Sequence, residues 1–505
     1  MDSGLQTVDR SHRISGSREI LAARTIAWWP CLALLILTLY GAFCFYHAAR
    51  CATGSDATGY LNSAHLLEEG KTFFPLRVIE GLPIGTDEVT SLTYMPLGLK
   101  AVDDQRLVPG YPVGLSLLIA GTARIGSWST VLRDVAVLHL VAGLVVVYFL
   151  AREFKLSRPF SVLCAAIIGS SPLYLLMGLQ PMSDVPALVW CGATLLLVRI
   201  GQRNPHILVF AGFTFAFAVL IRPTNLLLAA PIAVMLFPSW RHALIFIAGG
   251  IPGAVFQLLY NLNTYGSPLG NGYIGAAESF SPKWIGASLA AYAHWPILLF
   301  TPIVLLGLAL PWLSLPVRWK WLLVAWAAPF FGLYGFYFYT SQTWWYQRFV
   351  LPAMPALVIA SLLVATALVR RLGRKARAIT LCVSLAMLAV YQIFWIRDFH
   401  ALGPARSSEP YFQAHRWLNG HAAEKPIALC MEASGSIFAY TPLPIVRWDW
   451  LTPGAWDSLR QTAAANHQPI YAVLAEYEVS DAQRLAPGKW EHVADFGAVD
   501  IYALH

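Results

Sequence analysis

Four charged residues stand out because each borders or interrupts an apolar run: Asp56 in "GSDATGYLNSAHLL", Asp184 in "LLMGLQPMSDVPALVW", Arg222 in "AVLIRPTNLLLAAP" and Arg348 in "TSQTWWYQRFVLPAMPALV". A helix N-terminus favours an ionised carboxylate and leaves it charged and available as a hydrogen-bond acceptor. A guanidinium at a bilayer surface can hold a phosphate through two parallel hydrogen bonds. Each residue also has an ordinary structural use: the aspartates can cap helices, and the arginines can snorkel to headgroups. Ionisable residues at membrane depth are nonetheless functional candidates by default.

The local elements that carry them can be read from the same stretches. Ser55 is expected as an N-cap with Asp56 as the first helical residue, which places Asp56, Tyr60, Ser63 and Leu67 on one helix face. In "RLVPGYPVGLSLLIAG", Tyr111 and Pro112 open an apolar helix that is too close to the next span to cross alone, and it reads as re-entrant or interfacial. Ser183 is a possible cap before Asp184, and Pro186 suits the first turn of the helix that follows. Arg348 sits among Trp344, Trp345, Tyr346 and Phe349, an aromatic belt that explains the rings but not the arginine. The outer loop "NLNTYGSPLGNGYIGAAESF" is rich in turn formers and able to approach a substrate closely. His139 and His294 fit structural roles better than metal ligation.

Composition decides the class of protein. With 57% hydrophobic residues against 12% charged ones, the chain is too apolar for an ordinary soluble protein and reads as a polytopic α-helical membrane protein. The net charge of +8 lies mostly in short tracts between apolar runs, a topology signal rather than a nucleic-acid surface. The seven cysteines show no disulfide framework or metal spacing. The first apolar run follows Arg10, Arg13, Arg18 and Arg24 without a small-residue cleavage pattern, so it reads as an uncleaved anchor.

About eleven apolar spans follow, near 27–49, 132–150, 160–177, 185–200, 207–221, 224–238, 243–261, 294–314, 321–339, 349–369 and 378–396. If the chain turns at Arg222-Pro223, the short loops on the N-terminal side hold Arg152, Lys155, Arg158, Arg199, Arg203, Arg241, Arg318, Lys320 and the cluster "RRLGRKAR". The far side then holds only Arg222, Lys283 and Arg348. The positive-inside bias therefore places the N-terminus in the cytoplasm and the C-terminus outside. The expected domains are a cytoplasmic segment 1–26, a transmembrane domain 27–396 containing a first outer loop 50–131, and an extracytoplasmic domain 397–505. The outer loop concentrates acid: Asp56, Glu68, Glu69, Glu80, Asp87, Glu88, Asp103 and Asp104. In the tail, "PIALCME" and "PIYAVLAEY" read as buried strands, "YFQAHRWLNG" and "GAWDSLRQTAAANH" as helices, and "WEHVADFGAVDIYAL" as two closing strands, so the tail is expected to be a small α/β domain.

The ordered set "SDATGY", "YPVGLSLL", "SDVPAL", "LIRPTNLLL", "NTYGSPLGNGY" and "YQRFVLPAMPAL" resembles the bacterial GT-C glycosyltransferases of the protein mannosyltransferase type, family 39-like, over roughly residues 27 to 400. The resemblance implies transfer of a sugar, with inversion, from a polyprenyl-phosphate carrier to a glycan, lipid or protein acceptor on the outer face of the inner membrane. It implies that Asp56 is the catalytic base, that Asp184 is a second outer acid near the same cavity, and that Arg348, with Arg222 beside it, holds the donor phosphate. Tyr60, Tyr111 and Tyr346 are the expected substrate-binding residues. Protein mannosyltransferases commonly carry Asp-Glu in the first loop, whereas Ala57 follows Asp56 here. No metal is therefore assigned, although some members of the family use a divalent ion. A multi-pass transporter of a lipid or sugar-like substrate is the alternative, since the helix pair broken at Arg222-Pro223 also suits a substrate pathway; repeat-like halves and midplane charges, which transporters usually show, are not found.

Overall fold

A computed structural model describes residues 11–82, 93–102, 106–273 and 276–505. Asp87, Glu88, Asp103 and Asp104 of the acid-rich stretch 50–131 lie outside the described residues.

The first helix, α1 (Ser11–His47), contains the apolar stretch Trp29–His47. A short helix α2 (Gly54–Glu68) follows, then a three-stranded antiparallel sheet of β1 (Phe74–Pro75), β2 (Leu99–Ala101) and β3 (Arg106–Pro109) with β3 in the middle. Next come α3 (Val113–Ile125), the short apolar helix that Tyr111-Pro112 opens, and α4 (Val131–Glu153). The bundle continues through α5 (Arg158–Gly169), α6 (Pro172–Gly178), α7 (Asp184–Gly201), α8 (Ile207–Ile221), α9 (Ala229–Leu236), α10 (Trp240–Tyr265), α11 (Ile285–Phe300), α12 (Val317–Gly335), α13 (Met354–Val369) and α14 (Arg374–Asp398).

Among the described residues, six helices are long and apolar enough to cross a membrane alone, or up to eight spans if each of two bent pairs counts as one. The expectation of about eleven counted every apolar run as a crossing. The structure breaks several of these runs at proline, whose ring removes a backbone donor and pushes the preceding residue out of helical geometry. The 61° bend between α5 and α6 falls at Pro172, and the 114° bend after α11 falls at Pro302. Arg222, extended before Pro223, ends α8 at Ile221. Such interrupted backbone is tolerated at membrane depth when it is buried in protein. The helix Trp344–Val369, with 78% of its apolar window buried, is the centre of the bundle, whereas Trp29–His47, at 11%, lies on its periphery.

The C-terminal region is an α/β domain. It contains α15 (Pro404–Gly420), β4 (Ile427–Leu429), α16 (Ser434–Tyr440), β5 (Ile445–Val446), α17 (Pro453–Ala465), β6 (Ile470–Ala475), α18 (Val479–Leu485), β7 (Trp490–Asp495) and β8 (Val499–Leu504). The sheet order is β5-β4-β6-β8-β7, parallel from β5 to β6 and antiparallel beyond. The strands β4 and β6 are buried along their whole length, as unbroken apolar runs require when both sheet faces are covered. Its core is not confined to the tail: Leu76, Ile79, Tyr94, Leu99 and Leu107 of the segment between α2 and α3 join Leu429, Phe438, Trp456 and Ile501 in one apolar cluster.

Candidate functional site

The helix α2 begins at Gly54, after an extended Thr53 whose side chain makes no capping bond. The expected N-cap role of Ser55 is thereby corrected: Ser55 and Asp56 both lie inside the first turn. Their side chains turn to Tyr111 instead. The Tyr111 hydroxyl donates to Asp56 Oδ1 at 2.6 Å and lies 2.9 Å from Ser55 Oγ. The other oxygen, Asp56 Oδ2, accepts from Arg348 Nη2 at 2.9 Å across 292 residues of chain.

Close backbone approach makes this possible. A Cβ on Gly59 would lie 2.4 Å from the Tyr111 ring, and one on Gly98, whose φ is +89°, would lie 2.6 Å from both Gly59 and Ser55 O. Only residues without a side chain let α2, the turn before β2 and the start of α3 meet here. Burial first, and the neighbouring Asp56 carboxylate second, push the Tyr111 and Tyr60 hydroxyls well above the usual phenol range, so both remain protonated donors. Tyr60, one turn beyond Asp56, is buried, packs 5.2 Å from the Tyr111 ring and reaches the Ser183 side chain.

A second ion pair lies beside the first. Arg222 Nη2 donates to Asp184 Oδ1 at 2.7 Å and to Ser183 Oγ at 3.1 Å. Ser183 is the residue before α7 but makes no backbone cap there. The extended geometry forced by Pro223 takes Arg222 out of the helical path of α8. The Asp184 side chain is fully buried and that of Arg222 is 11% exposed, whereas Arg348 and Asp56 are 15% and 29% exposed. Asp184 Oδ2, Arg222 Nη1 and Arg348 Nε are buried without a hydrogen-bond partner among the described residues.

The two pairs share an aromatic wall. The Phe349 ring has the Arg348 guanidinium 5.1 Å from its centre and that of Arg222 at 5.7 Å. Tyr334 stacks on Phe349 at 5.1 Å and bonds Thr224 at 2.8 Å, while Tyr346 stacks on the same ring at 5.9 Å. Tyr273, from the turn-rich loop after α10, meets Tyr111 edge-on at 6.3 Å. All seven sequence-predicted residues thus fall in one region, with Tyr346 at its rim. Tyr273 and Tyr334 were not singled out in the sequence. Tyr273 carried a signal, as the aromatic residue of a "GNGY" turn, but Tyr334 lies in an apolar run with nothing to mark it. Among the described residues, no group of three or more His, Cys, Asp or Glu side chains converges in a way that could hold a metal ion.

The comparisons with known proteins agree with the fold. Residues 111–257 match the model of the dolichyl-phosphate-mannose-protein mannosyltransferase family. No curated protein matches the chain. Among solved structures, ArnT from Cupriavidus metallidurans in the apo state superposes with a TM-score of 0.56 at 14% identity, covering 95% of this chain and 98% of that one. The same protein bound to undecaprenyl phosphate gives 0.53 at 14% identity, covering 94% and 98%. The oligosaccharyltransferase AglB from Archaeoglobus fulgidus, in complex with an inhibitory peptide and a dolichol-phosphate, gives 0.51 at 14% identity, covering 94% and 74%. The chain is a multi-pass membrane protein with the GT-C glycosyltransferase fold, similar to protein mannosyltransferases over 111–257, and none of these likenesses favours a transporter.

Proposed function

We propose that this GT-C membrane protein is a glycosyltransferase that moves a sugar from a polyprenyl-phosphate donor to an acceptor hydroxyl on the outer face of the inner membrane. The single observation that carries the assignment of roles is the meeting of Asp56, Tyr111 and Arg348: a partly accessible carboxylate whose two oxygens are held by a protonated tyrosine and a guanidinium.

In the proposed reaction the acceptor hydroxyl attacks the anomeric carbon from the face opposite the phosphate. Its oxygen forms the new glycosidic bond, its proton passes to the Asp56 carboxylate, and the anomeric carbon–oxygen bond to phosphate breaks with inversion. The departing polyprenyl phosphate takes the bonding electron pair and gains a second negative charge. Arg348 stabilises that charge with the guanidinium N–H groups that Asp56 does not engage. Arg222, held by Asp184, adds a second fixed cation across Phe349. Asp184 thereby supports Arg222 rather than touching the reacting atoms. Tyr60, Tyr111 and Tyr346 form the polar and aromatic wall for the sugar. The basic loops on the N-terminal side support a cytoplasmic N-terminus and an outer C-terminal domain; a cysteine at position 375 that reacts with an impermeant label on intact cells would reverse this orientation.

The decisive assay incubates purified protein with a panel of polyprenyl-phosphate sugars and scores release of polyprenyl phosphate. Release by the wild type, lost in Asp56→Asn, is the expected result. Failure to release the carrier from any donor in the panel would refute the donor class.

A further inference from the structure

Within the wide contact between the C-terminal domain and the segment that follows α1, several bonds fall on α2 and the residues beside it, close to Asp56. Ala52 N–H donates to the Tyr440 hydroxyl at 3.1 Å just before α2. Within α2, Asn62 Nδ2 donates to Gly435 O at 3.3 Å. The turn that backs onto α2 is tied to the same segment, with Leu97 N–H donating to Ser434 Oγ at 3.0 Å. Between these bonds α16 lies against α2 with no space at all. A Cβ on Gly435 would come within 2.2 Å of Thr58 Oγ1 and 2.5 Å of Leu97 O. On its other side the Leu97-Gly98 turn presses on Gly59 and Ser55 O, the residues flanking Asp56.

We infer that α16 of the C-terminal domain is an abutment for α2, and that Gly435 is a positioning residue for Asp56. This rests on the reading of Asp56 as the base. Thr58 is two residues from Asp56 on the same helix, so α2 cannot move at one without moving at the other. A methyl group at 435 falls about 1 Å short of the 3.4 Å at which ordinary contact begins. To admit it, α2 and the Leu97 turn must shift by a comparable amount. The bonds of 2.6 and 2.9 Å that aim Asp56 at Tyr111 and Arg348 do not survive such a shift unchanged, and misplacement of about 1 Å in a catalytic group can cost on the order of 10²-fold. An interface that only buries apolar area has no reason to transmit a methyl group to kcat.

The test compares Gly435→Ala with Gly420→Ala, a control at the end of α15 where an added Cβ meets nothing within 4 Å. For Gly435→Ala, kcat for release of polyprenyl phosphate is expected to fall about 10²-fold while the donor's KM and the binding of polyprenyl phosphate stay as in wild type. Gly420→Ala should match wild type throughout. A folded Gly435→Ala protein with wild-type kcat overturns the inference. If Gly435→Ala does not fold, Ser434→Ala decides: loss of its bond to Leu97 should lower kcat about three- to tenfold with KM unchanged, and an unchanged kcat overturns the inference. Hydrogen exchange across residues 56–64 separates this inference from the functional reading, because it needs no substrate. Faster exchange there in Gly435→Ala, or in Ser434→Ala should that be the folded variant, with residues 354–369 unchanged, supports the abutment even if wild type releases no carrier; equal exchange sinks it.

Discussion

The two aspartate–arginine pairs have the same chemistry and opposite settings. Asp184 and Arg222 are sealed inside the bundle, joined by a bond of 2.7 Å, and Asp184 is fully buried. Asp56 and Arg348 are joined at 2.9 Å, but Asp56 remains 29% exposed and sits on a helix outside the bundle core. A buried pair has exchanged its hydration for one partner, so removing either partner strands a charge. A pair open to its surroundings can part and re-form around a ligand. Under the proposed function, the comparison teaches that residue type does not separate support from chemistry; accessibility does.

The largest expected effect comes from the open pair. Asp56→Asn keeps the shape of the side chain and loses the proton acceptor, so kcat should fall about 10²- to 10⁴-fold while binding of polyprenyl phosphate persists. Near wild-type turnover would remove Asp56 from the chemistry and erase the contrast. Next in size is the sealed pair. Asp184→Asn leaves Arg222 charged and buried without its counter-ion, which should cost about 3–5 kcal/mol of stability, read as a lowered melting temperature in detergent. An Asp184→Asn protein that melts like wild type yet has lost turnover would make Asp184 a reacting group after all.

A smaller effect sharpens the role of Arg348. In Arg348→Lys the charge stays but the planar fork does not, and binding of polyprenyl phosphate should weaken by about tenfold or more; an arginine that only reaches for headgroups would tolerate lysine. The smallest concerns the Tyr111 hydroxyl, which bonds Asp56. Tyr111→Phe removes one donor to a charged acceptor, worth about 1.5–3 kcal/mol, and part of that is regained from water because Asp56 is accessible. Turnover should drop about tenfold with KM for the donor unchanged. A rise in KM with constant kcat would instead limit Tyr111 to lining the sugar site, with no part in aiming Asp56.

Much of the architecture is legible in the residues. The apolar runs, the break at Arg222-Pro223, the short helix opened by Tyr111-Pro112 and the strands of "PIALCME" and "PIYAVLAEY" all rest on local rules of length, proline geometry and periodicity. The helix start at Gly54 was less legible, since Ser55 has the composition of a cap but is drawn to Tyr111 by a tertiary contact. The path of each apolar run was less legible for a related reason. Apolar length alone cannot say whether a run crosses straight or bends, and the 114° turn at Pro302 lies inside a run that reads as continuous.

The sequence by itself determined which charged residues border the apolar runs and which helix ends and loops carry them. It grouped them by type, two carboxylates for catalysis and two arginines for phosphate. Only the tertiary structure regrouped them by contact, joining Asp56 to Arg348 across 292 residues and Asp184 to Arg222 across 38. The physical reason is that helical periodicity constrains neighbours three or four residues apart, whereas the partner of a charge is set by distance and burial, which arise only when glycine contacts, proline breaks and the abutting C-terminal domain bring remote segments together.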